Sequence, residues 1–246
     1  MSVMLMLGLL VLSAEPGKPT TAAEWYAQGN EQMGQRKFDD AVRSFTRCLE
    51  LDANHLQARD GRGSAYFMVG KFKESVADFD RTIAARPELA NGHWRRGISL
   101  YYAGKYDEGK KQFEGYEKVD TNDVENAVWH FLCAARKDGL EKARAGMLNI
   151  GKDRRPVLME IYDLYRGKAK AEDVIRAANA DSLTETQRQT GLFYAHLYLG
   201  ILADLQGDPR KAQKHLQEAA DKYRIRHYMG EVPRVHLLTL KPTREK

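Results

Sequence analysis

The sequence predicts an all-α fold, a superhelix of antiparallel helix pairs, and three columns of residues predict it. Glycine stands at Gly29, Gly63 and Gly97. Aromatic rings stand at Phe38, Phe72 and Tyr106, and again at Phe45, Phe79 and Phe113. All three columns share a period of 34 residues without slippage. A period of that length marks helix-pair units that cannot bury their apolar faces alone and must stack on their neighbours.

Three units follow, at 22–55, 56–89 and 90–123. In the first, Trp25, Gly29, Phe38, Ala41, Phe45 and Cys48 resemble the signature of the tetratricopeptide (TPR) family, which implies a right-handed superhelix. The glycine column lets the second helix of a unit approach the first. Ala41, Ser75 and Gly109 do the same from the other side, and the rings at 45, 79 and 113 fill the gap between units. The second unit adds Tyr66, and Pro87 stops its second helix. The third keeps Gly97, Tyr106 and Phe113 but has Tyr116 where a small residue is usual, and Thr121 where Pro87 would recur.

Residues 124–182 keep helical periodicity without these columns and read as an irregular helical segment. Val128, Trp129, Phe131, Leu132 and Ala135 suit a buried helix ended by Gly139. Leu140–Ile150 reads as a second helix stopped by Gly151. Pro156 suits the first turn of a third, and a short fourth covers Ala171–Ala178. Ser182-Leu183-Thr184-Glu185 has the form of a capping box opening a helix to Leu205. The unit pattern then returns through Gly200, Ala203, Ala212, Leu216 and Ala219, with Gly207-Asp208-Pro209 as turn, N-cap and first helical residue. Residues 183–226 thus form a terminal helix pair, and 227–246 read as a tail.

At the other end, Val3–Leu12 is a short apolar run before Ser13-Ala14, which has the form of a secretory signal peptide over 1–14 and is too short for a membrane span. Residues 15–21 form a linker. The expectation is an exported protein, periplasmic or secreted; a cytoplasmic regulator or assembly factor is the alternative. The lack of Lys or Arg before the apolar run leaves a disordered or core-packed N-terminal segment open.

With 43% hydrophobic and 30% charged residues, a sizeable core is expected. The net charge of +5 is spread among 34 acidic side chains, which argues against a nucleic-acid-binding face. Lys152, Arg154 and Arg155, with Arg166, Lys168 and Lys170, read first as a solvated basic face and second as an anion patch. Cys48 and Cys133 lie in apolar helical patterns and read as small buried hydrophobes. The seven histidines form no metal-binding spacing, and no nucleophile or phosphate-loop motif is present. The expectation is a non-catalytic protein without metal or cofactor. An unrecognised active site within 124–182 is the remaining alternative.

A protein or peptide partner is expected in the concave groove lined by the first helix of each unit. The register assigns Tyr26, Asn30 and Met33, then Asp60, Ser64 and Phe67, then Trp94, Ile98 and Tyr101 to that groove. The aromatic third set has two readings: anchors for a partner peptide or helix, or rings covered by the chain's own C-terminal helices. TPRs of the carboxylate-clamp type, which grip chaperone C-termini, carry Lys and Asn in the first unit, Asn in the second, and Lys and Arg in the third. At the positions matched here, Tyr26, Asn30, Ser64, Trp94 and Ile98, only Asn30 agrees, so chaperone-tail binding is not expected.

Arg96–Gly104, Asn122-Asp123, Trp129 and Ile161–Tyr165 further resemble NlpI-type bacterial envelope lipoproteins. That resemblance implies a periplasmic adaptor that dimerises, brings proteases to peptidoglycan hydrolases and folds its C-terminal helices against the superhelix. The lipidated cysteine of those proteins has no counterpart here, so lipid anchoring does not carry over.

Overall fold

The computed structural model describes residues 19–240, and they form a superhelix of paired α-helices. The signal peptide expected over 1–14 lies outside the described residues. Three pairs come first: α1 (Ala22–Gly34) with α2 (Phe38–Leu51), α3 (Leu56–Met68) with α4 (Phe72–Ala85), and α5 (Trp94–Tyr102) with α6 (Tyr106–Tyr116). Thr21 opens the array with a capping box: its side chain accepts from the Glu24 amide, while Glu24 accepts from the Thr21 amide.

The columns have steric causes. A Cβ at Gly97 would lie 2.5 Å from the Phe113 ring, and one at Gly29 would lie 2.6 Å from Phe45. Only glycine lets the two helices of a unit meet around the ring at that distance. The turn inside each unit needs a left-handed residue, supplied by Gly70 (φ 77°) and Gly104 (φ 75°), but by Arg36 (φ 60°) in the first.

A polar column runs beside the apolar ones, one tie per unit between its two helices. Ser44 donates to Gln28 at 3.1 Å, Arg62 grips Asp78 through two bonds of 2.7 and 2.9 Å, and Arg96 donates to Gln112 at 3.0 Å. The spacing is the same in all three units, but the residue types change, so no identity column marks it in the sequence.

Helix α7 (Val124–Asp138) forms the centre, buried from Val124 to Ala135 with Trp129 and Phe131 among the largest enclosed side chains. Gly139 (φ 89°) ends it. Helix α8 (Leu140–Ala145) stops short of the expected Ile150, and an irregular segment follows. That segment is pinned rather than helical: the Leu148 carbonyl accepts from the Tyr162 hydroxyl at 2.9 Å, and Asp153 accepts from the Val124 amide at 3.1 Å. Pro156 therefore sits in the turn before α9 (Leu158–Tyr165), not in its first turn. Helix α10 (Ala171–Ala178) follows.

Helix α11 (Glu185–Leu205) is capped by Thr184 with Gln187, not by Ser182 with Glu185. Gln187 supplies the reciprocal acceptor that Glu185, one residue after the cap, is too close to provide. The turn into α12 (Pro209–Gln217) uses Asp208 as N-cap, with a π-helical turn at Glu218–Lys222 after it.

Of residues 227–246, expected as a tail, the described part carries a 3-10 turn (Tyr228–Glu231) and α13 (Val232–Thr239), and 241–246 lie outside the described residues. Met229, Val232 and Val235 are buried. Together these residues form a strap lying against the ends of α1, α3 and α5. Glu231 pairs with Arg36 at 2.7 Å, Arg234 donates to the Met68 carbonyl at 2.6 Å, and His236 meets the Tyr102 hydroxyl at 2.8 Å.

Candidate functional site

An open groove of about 850 Å³ runs along the first three units, lined by residues of α1, α3 and the segment leading into α5. Six of the nine expected residues line it: Tyr26, Asn30, Met33, Asp60, Ser64 and Trp94. The other three do not. Phe67 is fully buried, Ile98 is 1% exposed and Tyr101 is 4% exposed, so none of them faces a partner.

The strap and α7 together explain their burial. Tyr228 stacks on Phe67 at 5.3 Å between ring centroids and meets Trp94 edge-on at 5.2 Å. Tyr101 packs edge-on against Trp129 of α7 at 5.5 Å, while its hydroxyl accepts from Arg136. The chain's own side chains thus fill the far half of the third unit's inner face, and the near half stays open.

The groove also has polar side chains that the register missed. Gln57, Arg86, Asn91, Arg95 and Lys118 line it, beside the apolar Leu56. In the second and third units the open positions fall about one helical turn earlier than expected, because the strap covers the C-terminal ends of α3 and α5. The signal available in the sequence was Arg95, a cation next to Trp94 on the first turn of a groove helix.

Arg95 is held in place. It donates to Asp60 and to Ser64, each at 2.7 Å, while His93 contacts the other Asp60 oxygen at 2.9 Å. Burial by itself would raise the Asp60 pKa, but the His93 hydrogen bond and the Arg95 charge outweigh it and leave the carboxyl below its ordinary value. Asp60 is therefore an ionised anchor that orients Arg95 across the groove floor. His93 also caps α5, its Nδ1 accepting from the Arg96 amide at 3.3 Å, and His55 caps α3 in the same way at 3.1 Å.

Chemistry of other kinds finds few footholds. Among the described residues, no three His, Cys, Asp or Glu side chains converge where they could hold a metal ion. Cys48 and Cys133 are free and buried, and burial pushes both thiols up. His196 and His215 face each other at 3.2 Å, with burial lowering both pKa values. Arg155, expected in a solvated basic face, is bound up by Asp123, Glu125 and Asp153 at 2.5–2.6 Å. No described helix is long and apolar enough to cross a membrane.

Known proteins agree with this architecture. A tetratricopeptide repeat family model matches residues 26–90. Hsp70-Hsp90 organizing protein 3 of Arabidopsis thaliana is 25% identical over 199 residues, covering 81% of this chain and 31% of that protein. Human RNA polymerase II-associated protein 3 is 28% identical over 98 residues, covering 40% of this chain and 15% of that one. The chain thus spans about a third or less of the length of these relatives. Among solved structures, a tetratricopeptide repeat protein from Parabacteroides merdae superposes with a TM-score of 0.54 at 16% identity, over 90% of this chain and 86% of that one. The 34-residue columns, the paired helices stacked on them and the family model over residues 26–90 together give this chain a tetratricopeptide repeat fold.

Proposed function

We propose that the protein is a non-catalytic adaptor that holds an extended segment of a partner protein in its concave groove. The observation that carries this reading is the groove itself, open over α1, α3 and the start of α5 and floored by the fixed Asp60–Arg95 pair. Side chains there offer both hydrogen-bonding polarity (Asn30, Gln57, Asn91) and apolar contact (Tyr26, Met33, Leu56), the mixture that binds a main chain and selects its side chains. Two of the relatives' names, Hsp70-Hsp90 organizing protein and RNA polymerase II-associated protein, support a regulator or assembly factor acting inside the cell.

The test is affinity purification with mass spectrometry, comparing wild type with Asn30→Arg and Gln57→Arg combined. Both side chains are exposed in the groove, so the fold should persist. Loss of a defined partner set is expected. An unchanged set would exclude the groove as the binding face.

A second reading, an exported adaptor, draws on the apolar run Val3–Leu12. N-terminal sequencing of the protein from cells separates the two. Retained Met1 fits the intracellular factor, and a mature chain beginning at Glu15 fits the exported one.

A further inference from the structure

Trp94 belongs to two spaces at once. On one side it borders the groove, and on the other it walls a smaller cavity of about 190 Å³ between the third unit and α7. Rings of Trp94, Phe113, Tyr116, Trp129 and His227 surround that cavity, with His227 stacked on one face of Trp94 at 5.9 Å between centroids, and Asp123, Glu125 and Arg155 close it.

The charges there do not balance. Asp123, Glu125 and Asp153 all converge on the single Arg155 guanidinium, at 2.6, 2.5 and 2.5 Å. Burial first, and the neighbouring Asp123 charge after it, push the Glu125 carboxyl up to about 7 even with Arg155 opposing. A site in that condition gains from one more positive charge.

Two further groups are incomplete. Asn126 is 4% exposed and Trp129 is 1% exposed, and both line the cavity. The Asn126 Oδ1 and the Trp129 Nε1 have no hydrogen-bond partner among the described residues. Buried polar atoms of this kind are ordinarily satisfied by a ligand or by water. Aromatic faces beside carboxylates are the usual surroundings of a bound organic cation.

We propose that this cavity receives the basic side chain, guanidinium or ammonium, of a peptide lying in the groove. The proposal rests on the groove being the partner-binding face and adds its selectivity: a partner with Arg or Lys where its chain passes Trp94. The ring faces of Trp94 and Trp129 take the cation's flat or methylene surface, while Asp123 and Glu125 supply the charge. Asn126 Oδ1 is an acceptor available to its N–H groups, while the Trp129 Nε1–H, a donor, is left to a water beside the cation.

Isothermal titration calorimetry of the full chain with four small probes tests it. N-acetyl-arginine amide and N-acetyl-lysine amide carry the charge; N-acetyl-citrulline amide and N-acetyl-norleucine amide are their neutral counterparts. Saturable binding is expected for at least one charged probe, with its neutral counterpart weaker by about tenfold or more. Glu125→Gln should reduce the charged probe's affinity by a similar factor, about tenfold, and leave the neutral probes unchanged. If that variant fails to fold, Trp94→Leu, which changes a half-buried wall, serves in its place with the same expected loss. Equal binding of citrulline and arginine amides, or no saturable heat from any probe, would overturn the proposal and leave a water-filled cavity. Partner capture judged with the Asn30 and Gln57 variants is independent of that result, so a failure here does not touch the groove itself.

Discussion

Arg36 and Glu231 are 195 residues apart in sequence and form an ion pair at 2.7 Å, tying the first unit to the C-terminal strap. Arg224 and Arg234 add contacts of 3.2 and 3.0 Å to the same carboxylate, whose side chain is only 9% exposed. Burial raises the Glu231 pKa, but the bonds from Arg36 and Arg234 dominate and hold it below its ordinary value.

Glu231→Gln should therefore destabilise the chain by about 2 kcal/mol, since three guanidinium groups lose their shared charge while remaining partly solvated. Urea denaturation at neutral pH measures this. A depressed carboxylate pKa gives stability that is present above the unfolded value of 4.5 and lost as pH falls through the lower folded value. The wild-type advantage should accordingly shrink below pH 4.5. Amide exchange over 228–239 should quicken in the variant.

Gly97→Ala places a methyl group 2.5 Å from the Phe113 ring, so ring or helix must move. A loss of about 1–3 kcal/mol is expected from such overpacking. Gly34→Ala is the control: a Cβ there meets nothing within 4 Å, and Ala should be neutral or slightly stabilising at that position. Thermal melts of the two variants should shift in different directions or by clearly different amounts.

Glu125→Gln tests the acidic cluster through pH. Around Glu125 stand Asp123 and Arg155, with Tyr198 donating at 2.9 Å. Its folded pKa of about 7 lies above the model-peptide 4.5, so the folded state keeps a proton the unfolded state has lost. Wild-type stability should fall as pH rises from 4.5 to 7 and level off above. The glutamine variant escapes that cost, so its stability relative to wild type should grow across the same window by up to about 3 kcal/mol.

Arg36→Gly sets two effects against each other. Glycine relieves the left-handed strain, on the order of 1 kcal/mol, but gives up one of the three cations at Glu231. Adding salt, which screens the ion pair, should move the balance towards the glycine variant. Denaturation at low and high ionic strength reads that shift.

Sequence legibility followed the kind of force involved. The repeat columns were visible because Gly29, Gly63 and Gly97 each face a ring at close range, and such contacts tolerate no substitute. The polar ties Gln28–Ser44, Arg62–Asp78 and Arg96–Gln112 were invisible as columns because three different chemistries do one job. Six of the nine groove positions could be placed from helix register alone. Phe67, Ile98 and Tyr101 could not, because what covers them lies outside the repeats, with Tyr228 of the strap over Phe67 and Trp129 of α7 against Tyr101. Residues 228–239 lack a repeat pattern of their own: their apolar side chains, Met229, Val232 and Val235, match a surface made by several distant helices.

The strap also changes how the array can come apart. A solenoid in which each unit meets only its neighbours melts in pieces, from the ends inward, and tolerates shortening. Here the first unit, the third unit and the terminal helix pair are fastened to one segment, so an end cannot fray without releasing the contacts of the other. The repeats are closed into a loop of mutual dependence, from which all-or-none opening is expected, with removal of α13 costing order in the first unit.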